Sequence, residues 1–278
     1  MLNGIGLQAV PNAYRRASGL PFHAQQSSVD RGTLTVCVCT YNSAETLEKC
    51  LISIRKVVPE SRLLVVDHFS EDGSVDIARQ FGAEIFQESK GLGYARQLCL
   101  DNAKSEYIVF VDGDVEIVRR DFFAIATKAL DDRTYGAVVG MAVGHKFPYG
   151  LPASLLVLRK SDFSGEVVPD YIDARETFFI QKRLDHLNLK TRYVVDSMIH
   201  RSQFRQLKPE WEGANTRVLP DAGIRELLWA LKVIILLSLN SRSVRNIAYI
   251  PIFYVKFLHG YAEPAPWLRI NRVASDKL

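Results

Sequence analysis

The sequence has few cysteines, and they follow neither a metal-binding nor a disulfide pattern. The 278-residue chain contains four: Cys37 and Cys39 alternate within an apolar run, while Cys50 and Cys99 fall in predicted helices. This placement favours small buried hydrophobic side chains. Because disulfides are rare in reducing compartments, we expect a cytoplasmic protein.

Two other features are missing: a long apolar run and a dense basic stripe. A membrane-spanning helix needs about 20 mostly apolar residues, and nucleic-acid-binding proteins usually cluster their basic residues on one face. The formal charge is only +4, from 35 basic and 31 acidic residues. We therefore expect no nucleic-acid partner; anionic phosphates or an acidic membrane surface suit the charge better.

The chain divides into three predicted parts. Residues 1–32 show little periodicity and predict a flexible N-terminal arm without a signal peptide. From residue 33 to 220, strands and helices alternate, which predicts an α/β domain whose mostly parallel central sheet is flanked by helices. The predicted strands are 34–40, 62–66, 83–86, 106–111, 137–143, 155–158 and 191–195. The predicted helices are 43–57, 74–81, 91–102 and 175–187.

Residues 221–278 form the third part, which contains two apolar stretches, Ile224–Leu239 and Ile247–Leu258. Both are too short and too often charged for a confident membrane span. They predict helices that pack in a core, form a homodimer contact, or lie peripherally on the cytoplasmic face of a membrane. Nearby basic residues favour an acidic lipid surface; they are Arg242, Arg245, Lys256, Arg269 and Arg272.

Three acids follow the most apolar predicted strand. Asp112, Asp114 and Glu116 are spaced two apart after the run 107–111. Ligand sites in open α/β sheets lie beyond the carboxyl ends of the strands, and alternate side chains of an extended segment point the same way. The pattern predicts a site for Mn²⁺ or Mg²⁺ beside a substrate diphosphate. The alternative is a polar turn that merely ends a core strand.

Four segments together resemble the family 2 inverting glycosyltransferases of the GT-A fold. They are residues 34–42 (LTVCVCTYN), 65–74 (VVDHFSEDGS), 90–97 (KGLGYARQ) and 112–114 (DGD). The resemblance covers about residues 33–205 and implies a nucleotide-diphospho-sugar transferase-like fold. It also implies a nucleoside diphosphate sugar as donor and a divalent metal as cofactor.

The resemblance implies roles for most of the candidate residues. Donor-binding residues would be Thr40, Tyr41, Asn42, Asp67, Lys90, Gly91, Arg96, Asp112 and Gly113. Metal ligands would be Asp112, Asp114, His200 and Glu116, the last because related polyprenyl-phosphate mannose synthases place a further ligand there. Three alternatives stay open: Asp67 as a turn cap, the 91–93 glycines as a simple helix entry, and His200 as a core or capping residue.

The sequence departs from the family pattern at two positions. His68 stands where a second acid often follows Asp67, which leaves the choice of nucleobase open. Thr177 stands where the family usually has the aspartate that acts as general base. Glu176, or less favourably Asp173 or Asp170, would replace it, unless the acceptor is an already ionised phosphate.

The sequence therefore predicts a metal-dependent transferase that moves a sugar to a glycan or polyprenyl-linked acceptor with inversion. Two other classes remain as alternatives. A nucleotidyltransferase usually has a glycine-rich basic loop after the first strand, which residues 40–43 lack. A non-catalytic sugar-nucleotide-binding homologue would explain Thr177.

Overall fold

The structure, a computed structural model, describes residues 34–201, 208–241 and 243–268. The predicted N-terminal arm at 1–32 lies outside these residues. The strands are β1 (Leu34–Thr40), β2 (Arg62–Asp67), β3 (Glu84–Gln87), β4 (Tyr107–Asp112), β5 (Val115–Ile117), β6 (Tyr135–Ala142), β7 (Leu155–Arg159) and β8 (Lys190–His200). The α-helices are α1 (Ala44–Val57), α2 (Ser74–Gln80), α3 (Leu92–Asn102), α4 (Phe122–Asp131), α5 (Thr177–His186), α6 (Pro209–Arg217), α7 (Ile224–Asn240), α8 (Val244–Ala248) and α9 (Ile250–Ala262).

The strands form one sheet in the order β3-β2-β1-β4-β7-β6-β8-β5. The first four pair in parallel, whereas β7 runs antiparallel to both of its neighbours. At the far edge β6 and β8 are parallel, and β5 is antiparallel to β8. The predicted α/β sheet flanked by helices is confirmed, but the sheet is mixed: its continuous parallel part comes from the first half of the chain, and the second half adds three antiparallel pairings and one parallel pairing.

Helices cover both faces of the sheet, as the unbroken apolar strands predict. Val109 and Val111 of β4 pack in the core layer that contains α1, α2 and α4. Ile108 and Phe110 face the opposite layer, with α3 and α5. The parallel register aligns the last residues of three strands, because Thr40 pairs with Asp67 and Cys39 with Asp112. These ends form the edge that carries the candidate site.

The second half of the sheet differs from the prediction. The strand predicted at 191–195 extends from Lys190 to His200. The prediction ended too early because a β-bulge interrupts the regular pattern of this strand. Asp196 in this strand has a φ of +51°, which shifts the alternation of buried and exposed residues. The short strand β5 and the helices α4 and α6 were not predicted.

The two C-terminal apolar stretches are helical. The first forms α7 as predicted, and the second divides into α8 and α9 near Pro251, which occupies the first turn of α9. No helix within the described ranges is both long and apolar enough to cross a membrane.

Helix α9 crosses α6 at two glycines, so the backbones approach closely. A Cβ atom on Gly213 would overlap the carbonyl oxygen of Phe257, and one on Gly260 would overlap that of Glu210. These contacts cross the domain boundary predicted at residue 220.

We expect Gly260→Ala to lower the melting temperature. Alanine normally stabilises a helix by about 1 kcal/mol relative to glycine, but here overpacking should cost about 1–3 kcal/mol. Gly223→Ala is the control, because Gly223 has an extended φ of −170° and a Cβ atom there would lie 3.9 Å from its nearest neighbour, the carbonyl oxygen of Asp221. Thermal unfolding followed by circular dichroism measures the melting temperature of both variants. An unchanged or higher melting temperature for Gly260→Ala would contradict the close crossing.

Candidate active site

The loops after β1 and β2 are joined by hydrogen bonds at the carboxyl edge of the sheet. The backbone N–H of Asn42 donates to Ser70 Oγ at 2.8 Å, and Asn42 Oδ1 accepts from the N–H of Glu71 at 2.9 Å. Asp72 Oδ2 accepts from the N–H of Ala44 at 2.8 Å. Asn42 has a φ of +46°, a conformation that asparagine tolerates better than most residues. The two predicted donor-binding loops therefore form one surface.

Two buried oxygen atoms in this surface lack hydrogen-bond partners among the described residues: Asp67 Oδ1 and Thr40 Oγ1. The other carboxylate oxygen, Asp67 Oδ2, accepts from the N–H of Ser70 at 2.9 Å. The turn-capping interpretation of Asp67 thus accounts for only one of its oxygens. A buried polar atom without a partner costs about 1–3 kcal/mol, so these atoms suit a polar ligand.

A buried glutamate that the sequence analysis missed organises the neighbouring loop. Glu88 Oε1 lies 2.7 Å from Nδ1 of His68, and Oε2 accepts from the N–H groups of Lys90 and Gly91 at 2.6 Å. Gly91 has a φ of +110°, which favours glycine. His68 in turn lies edge-on to Tyr41, with ring centroids 5.2 Å apart. The histidine that departs from the family pattern is therefore paired with a carboxylate.

Lys90 and Asp170 contact each other. The Lys90 ammonium lies 2.7 Å from Asp170 Oδ2 and 4.6 Å from the centroid of the Tyr94 ring. The hydrogen bond from Lys90 lowers the pKa of Asp170. A carboxylate with a lowered pKa is a weaker proton acceptor, which argues against Asp170 as general base.

Arg96 is a buried cation between two carboxylates. Its guanidinium donates to Asp112 Oδ1 at 2.6 Å, and its Nε lies 3.8 Å from Glu176 Oε1. The Arg96 side chain is 1% exposed and stacks on the Phe110 ring at 4.9 Å. Burial raises the pKa of Glu176, and the charge of Arg96 opposes that shift. Arg96 and Glu176 therefore face each other in the structure.

Three side chains converge as a possible metal site. One ligand atom from each of Asp112, Asp114 and His200 lies within 4.8 Å of the others. The turn at 113–114 brings the two aspartates together after β4, and the pairing of Val115 with His200 adds the histidine from β8. His200 Nδ1 lies 3.4 Å from Asp114 Oδ2. Carboxylate and imidazole ligands suit Mn²⁺, and carboxylates suit Mg²⁺.

Glu116 lies outside this group. Its carboxylate pairs with Arg201, whose Nε lies 3.1 Å from Glu116 Oε2. The expectation that alternate acids point the same way does not hold, because Gly113 and Asp114 form a turn and are not part of a strand. Glu116 belongs to β5, beyond that turn.

The family model for glycosyl transferase family 2 matches residues 35–207, which is more than half of the chain. The chain belongs to this family. Among curated relatives, a cholesterol galactosyltransferase of Borreliella burgdorferi is 31% identical over 31% of this chain and 26% of its own length. The glycosyltransferase AglJ of Haloferax volcanii is 32% identical over 45% of this chain and 40% of its own length. The chain therefore spans less than half of these relatives.

Two solved structures show the same fold as this family 2 chain. The mannosyltransferase PcManGT from Pyrobaculum calidifontis, in complex with GDP-Man and Mn²⁺, has a TM-score of 0.59 at 19% identity. The match covers 86% of this chain and 76% of the mannosyltransferase chain. Glucosyl-3-phosphoglycerate synthase from Mycobacterium tuberculosis has a TM-score of 0.53 at 18% identity, over 69% of this chain and 81% of its own. The predicted GT-A fold is confirmed.

The loop between β6 and β7 adds residues that the sequence analysis missed. Burial lowers the pKa of His145, and so does nearby His200. Burial raises the pKa of Tyr149, and so does the charge of Asp112. Both therefore lie near the possible metal site. The loop sequence has no periodicity that would have indicated this, and its position depends on Asn240 of α7, which accepts from the N–H groups of residues 146 and 147.

Arg175 attaches the start of α5 to the C-terminal helices. Its guanidinium donates to Thr216 of α6 at 2.6 Å and to Glu226 of α7 at 2.7 Å, and it stacks on Trp229 at 4.3 Å. Arg175 has a φ of +64°, which is unfavourable for a non-glycine residue. These contacts hold the residue directly before Glu176.

We expect Asp114→Ala to weaken Mn²⁺ binding about 10-fold or more, because even residues that only support metal ligands contribute that much. Electron paramagnetic resonance of free Mn²⁺ during titration measures the affinity. Glu116→Gln is the matched control and should leave the affinity unchanged. An equal loss in Glu116→Gln would make Glu116 a ligand, and no loss in Asp114→Ala would exclude the site.

Proposed function

We propose that this family 2 chain transfers a sugar from a nucleoside diphosphate sugar to an acceptor, with a divalent metal ion and with inversion at the anomeric carbon. The observation that carries the proposal is the convergence of Asp112, Asp114 and His200 at the carboxyl edge of the sheet. The buried oxygens Thr40 Oγ1 and Asp67 Oδ1, which have no hydrogen-bond partner within the described ranges, lie at the same edge.

The donor set fits such an ion, because two carboxylates and one imidazole are grouped at partly exposed positions. When bound, a divalent ion neutralises the negative charge that grows on the leaving diphosphate. Asp114 and His200 would hold the ion, and Asp112 would contact the ion or the ribose. Arg96 keeps Asp112 oriented through the 2.6 Å contact.

The loops after β1 and β2 would bind the nucleobase. Asp67 Oδ1 and Thr40 Oγ1 can hydrogen-bond to polar edges of a base, and exposed Tyr41 offers a ring beside them. GDP-Man occupies the mannosyltransferase neighbour and UDP-glucose the synthase neighbour. The His68–Glu88 pair next to Asp67 is the feature of this chain that would select between bases.

A non-catalytic sugar-nucleotide-binding homologue is the second candidate, because Thr177 at the start of α5 replaces the usual aspartate. Thr177 would leave a hydroxyl acceptor without its usual general base. This candidate retains donor binding and lacks transfer, so the assay that follows separates the two functions.

We expect metal-dependent release of UDP or GDP when the protein is incubated with a panel containing UDP-glucose and GDP-mannose. Mn²⁺ should support the reaction and EDTA should stop it. Asp114→Ala should abolish turnover with the fold intact, whereas Asp121→Ala should not, because exposed Asp121 pairs with Arg119 away from the metal group. Metal-independent nucleotide binding that is equal in wild type and Asp114→Ala would refute the metal role.

We further propose that α7, α8 and α9 contact an acidic membrane surface and bring the site to a lipid-linked acceptor. Ile224 and Leu228 are 72% and 58% exposed, and Leu239 continues the same face of α7. Exposed aliphatic residues on the other helices extend this apolar surface; they are Val244, Ile247, Ile252 and Val255. Exposed basic residues accompany them; they are Arg225, Lys232, Arg245 and Lys256.

Several aromatic residues of the two apolar stretches are turned inwards and contribute little to this surface. Phe257 is buried, Tyr254 donates to the carbonyl of Leu227, and Trp229 stacks on Arg175. Aliphatic side chains and Tyr249 therefore supply most of the exposed area. Arg242, Arg269 and Arg272 lie outside the described residues. A homodimer contact would use the same surface and is the competing proposal.

We expect the full chain to float with anionic phosphatidylglycerol liposomes at low salt. Leu228→Glu combined with Leu239→Glu should prevent flotation, because charges on the apolar face disfavour insertion into the headgroup boundary. The control is Ile52→Glu, which adds a charge at a 49% exposed apolar residue of α1. If the wild-type protein stays in solution as a dimer, the apolar surface is a homodimer contact and the membrane proposal is wrong.

A further inference from the structure

We propose that Glu212 of α6 is the carboxylate that removes the proton from a hydroxyl acceptor, in place of the aspartate that Thr177 replaces. This inference rests on the proposed transferase function and deepens it. No sequence motif indicates Glu212, because its helix lies beyond the segments that carry the family resemblance.

The packing of α6 directs Glu212 towards the start of α5. Asn215 Oδ1 accepts from the N–H groups of Asp173 and Ala174, both at 3.2 Å, and Thr216 contacts Arg175. Glu212 precedes Asn215 and Thr216 by three and four residues, so the three side chains share one face of the helix. The opposite face of α6 is occupied by α9 at Gly213.

The other acids in this region have partners. Glu176 faces Arg96, Asp170 pairs with Lys90, Glu226 pairs with Arg175, and Glu210 lies 3.6 Å from Lys256. Among the described residues, the Glu212 carboxylate makes no hydrogen bond or ion pair. The side chain is half-buried, so part of it can meet an acceptor.

The charges around Glu212 suit a base that works near neutral pH. The pKa of Glu212 is raised to about 7: burial raises it, the charge of Arg175 lowers it in part, and the charge of Glu176 raises it. On the α9 side, Lys256 is directed to Glu210. Below this pKa the carboxyl group is protonated and cannot accept a proton, so transfer should slow as the pH falls through about 7.

The step balances as a single displacement. The acceptor O–H bond breaks and its proton passes to the Glu212 carboxylate, while the oxygen lone pair forms the new bond to the anomeric carbon. The bond from that carbon to the diphosphate oxygen breaks, and its electron pair leaves with the nucleoside diphosphate. Glu176 stays on Arg96 and takes no proton.

The test compares Glu212→Gln with Glu210→Gln, an isosteric change in the same turn of α6 that removes an acid paired with Lys256. The probes are UDP-glucose and GDP-mannose with Mn²⁺, and the acceptors are water and octyl glucoside. Glu212→Gln should lower kcat about 10²-fold with unchanged KM for the donor, and lose the fall in rate below pH 7. Glu210→Gln should do neither, and Glu212→Asp should restore part of the rate.

A full rate and an unchanged pH profile in Glu212→Gln would overturn the proposal. If the wild type turned over neither donor with any acceptor, the transferase function would fail separately, and carboxyl titration would still test Glu212. In ¹³C NMR of glutamate-labelled protein, Glu212→Gln should remove a carboxyl that titrates near pH 7, and Glu210→Gln should not. Retention of that titration in Glu212→Gln would overturn the inference without any substrate.

Discussion

The buried charge of Arg96 is the constraint on which the candidate site depends. Burying a guanidinium is costly unless carboxylates pair with it, and removing one partner of such a pair costs about 3–5 kcal/mol. Arg96 of α3 meets Asp112 at the end of β4 and Glu176 at the start of α5. This single side chain therefore connects the possible metal site to the start of α5.

The C-terminal helices are attached to the same region. Asn215 of α6 holds residues 173 and 174, and Glu226 of α7 holds Arg175. Asn240, at the other end of α7, holds the loop that carries His145 and Tyr149. Helices that would meet a lipid surface thus contact both sides of the site.

Particular residues explain where prediction from the sequence succeeded and failed. The apolar strands before Asp67 and Asp112 were predicted because unbroken β-branched runs have few other solutions. The strand ending at His200 was predicted too short, because the bulge at Asp196 breaks its alternation. Glu116 was expected on the same side as the two aspartates, because a two-residue turn looks like a continued strand in a sequence; the structure places it beyond that turn, next to Arg201.

The sequence by itself determined the α/β class, the family and the Asp112–Asp114 pair, since these depend on local runs and short motifs. Only the tertiary structure decided that His200 joins those acids, that Arg96 faces Glu176, and that Glu88 supports His68. It also placed α6, the helix that carries Glu212, against the start of α5. Such contacts join residues distant in the chain, and strand pairing and helix crossing create them without any local periodicity.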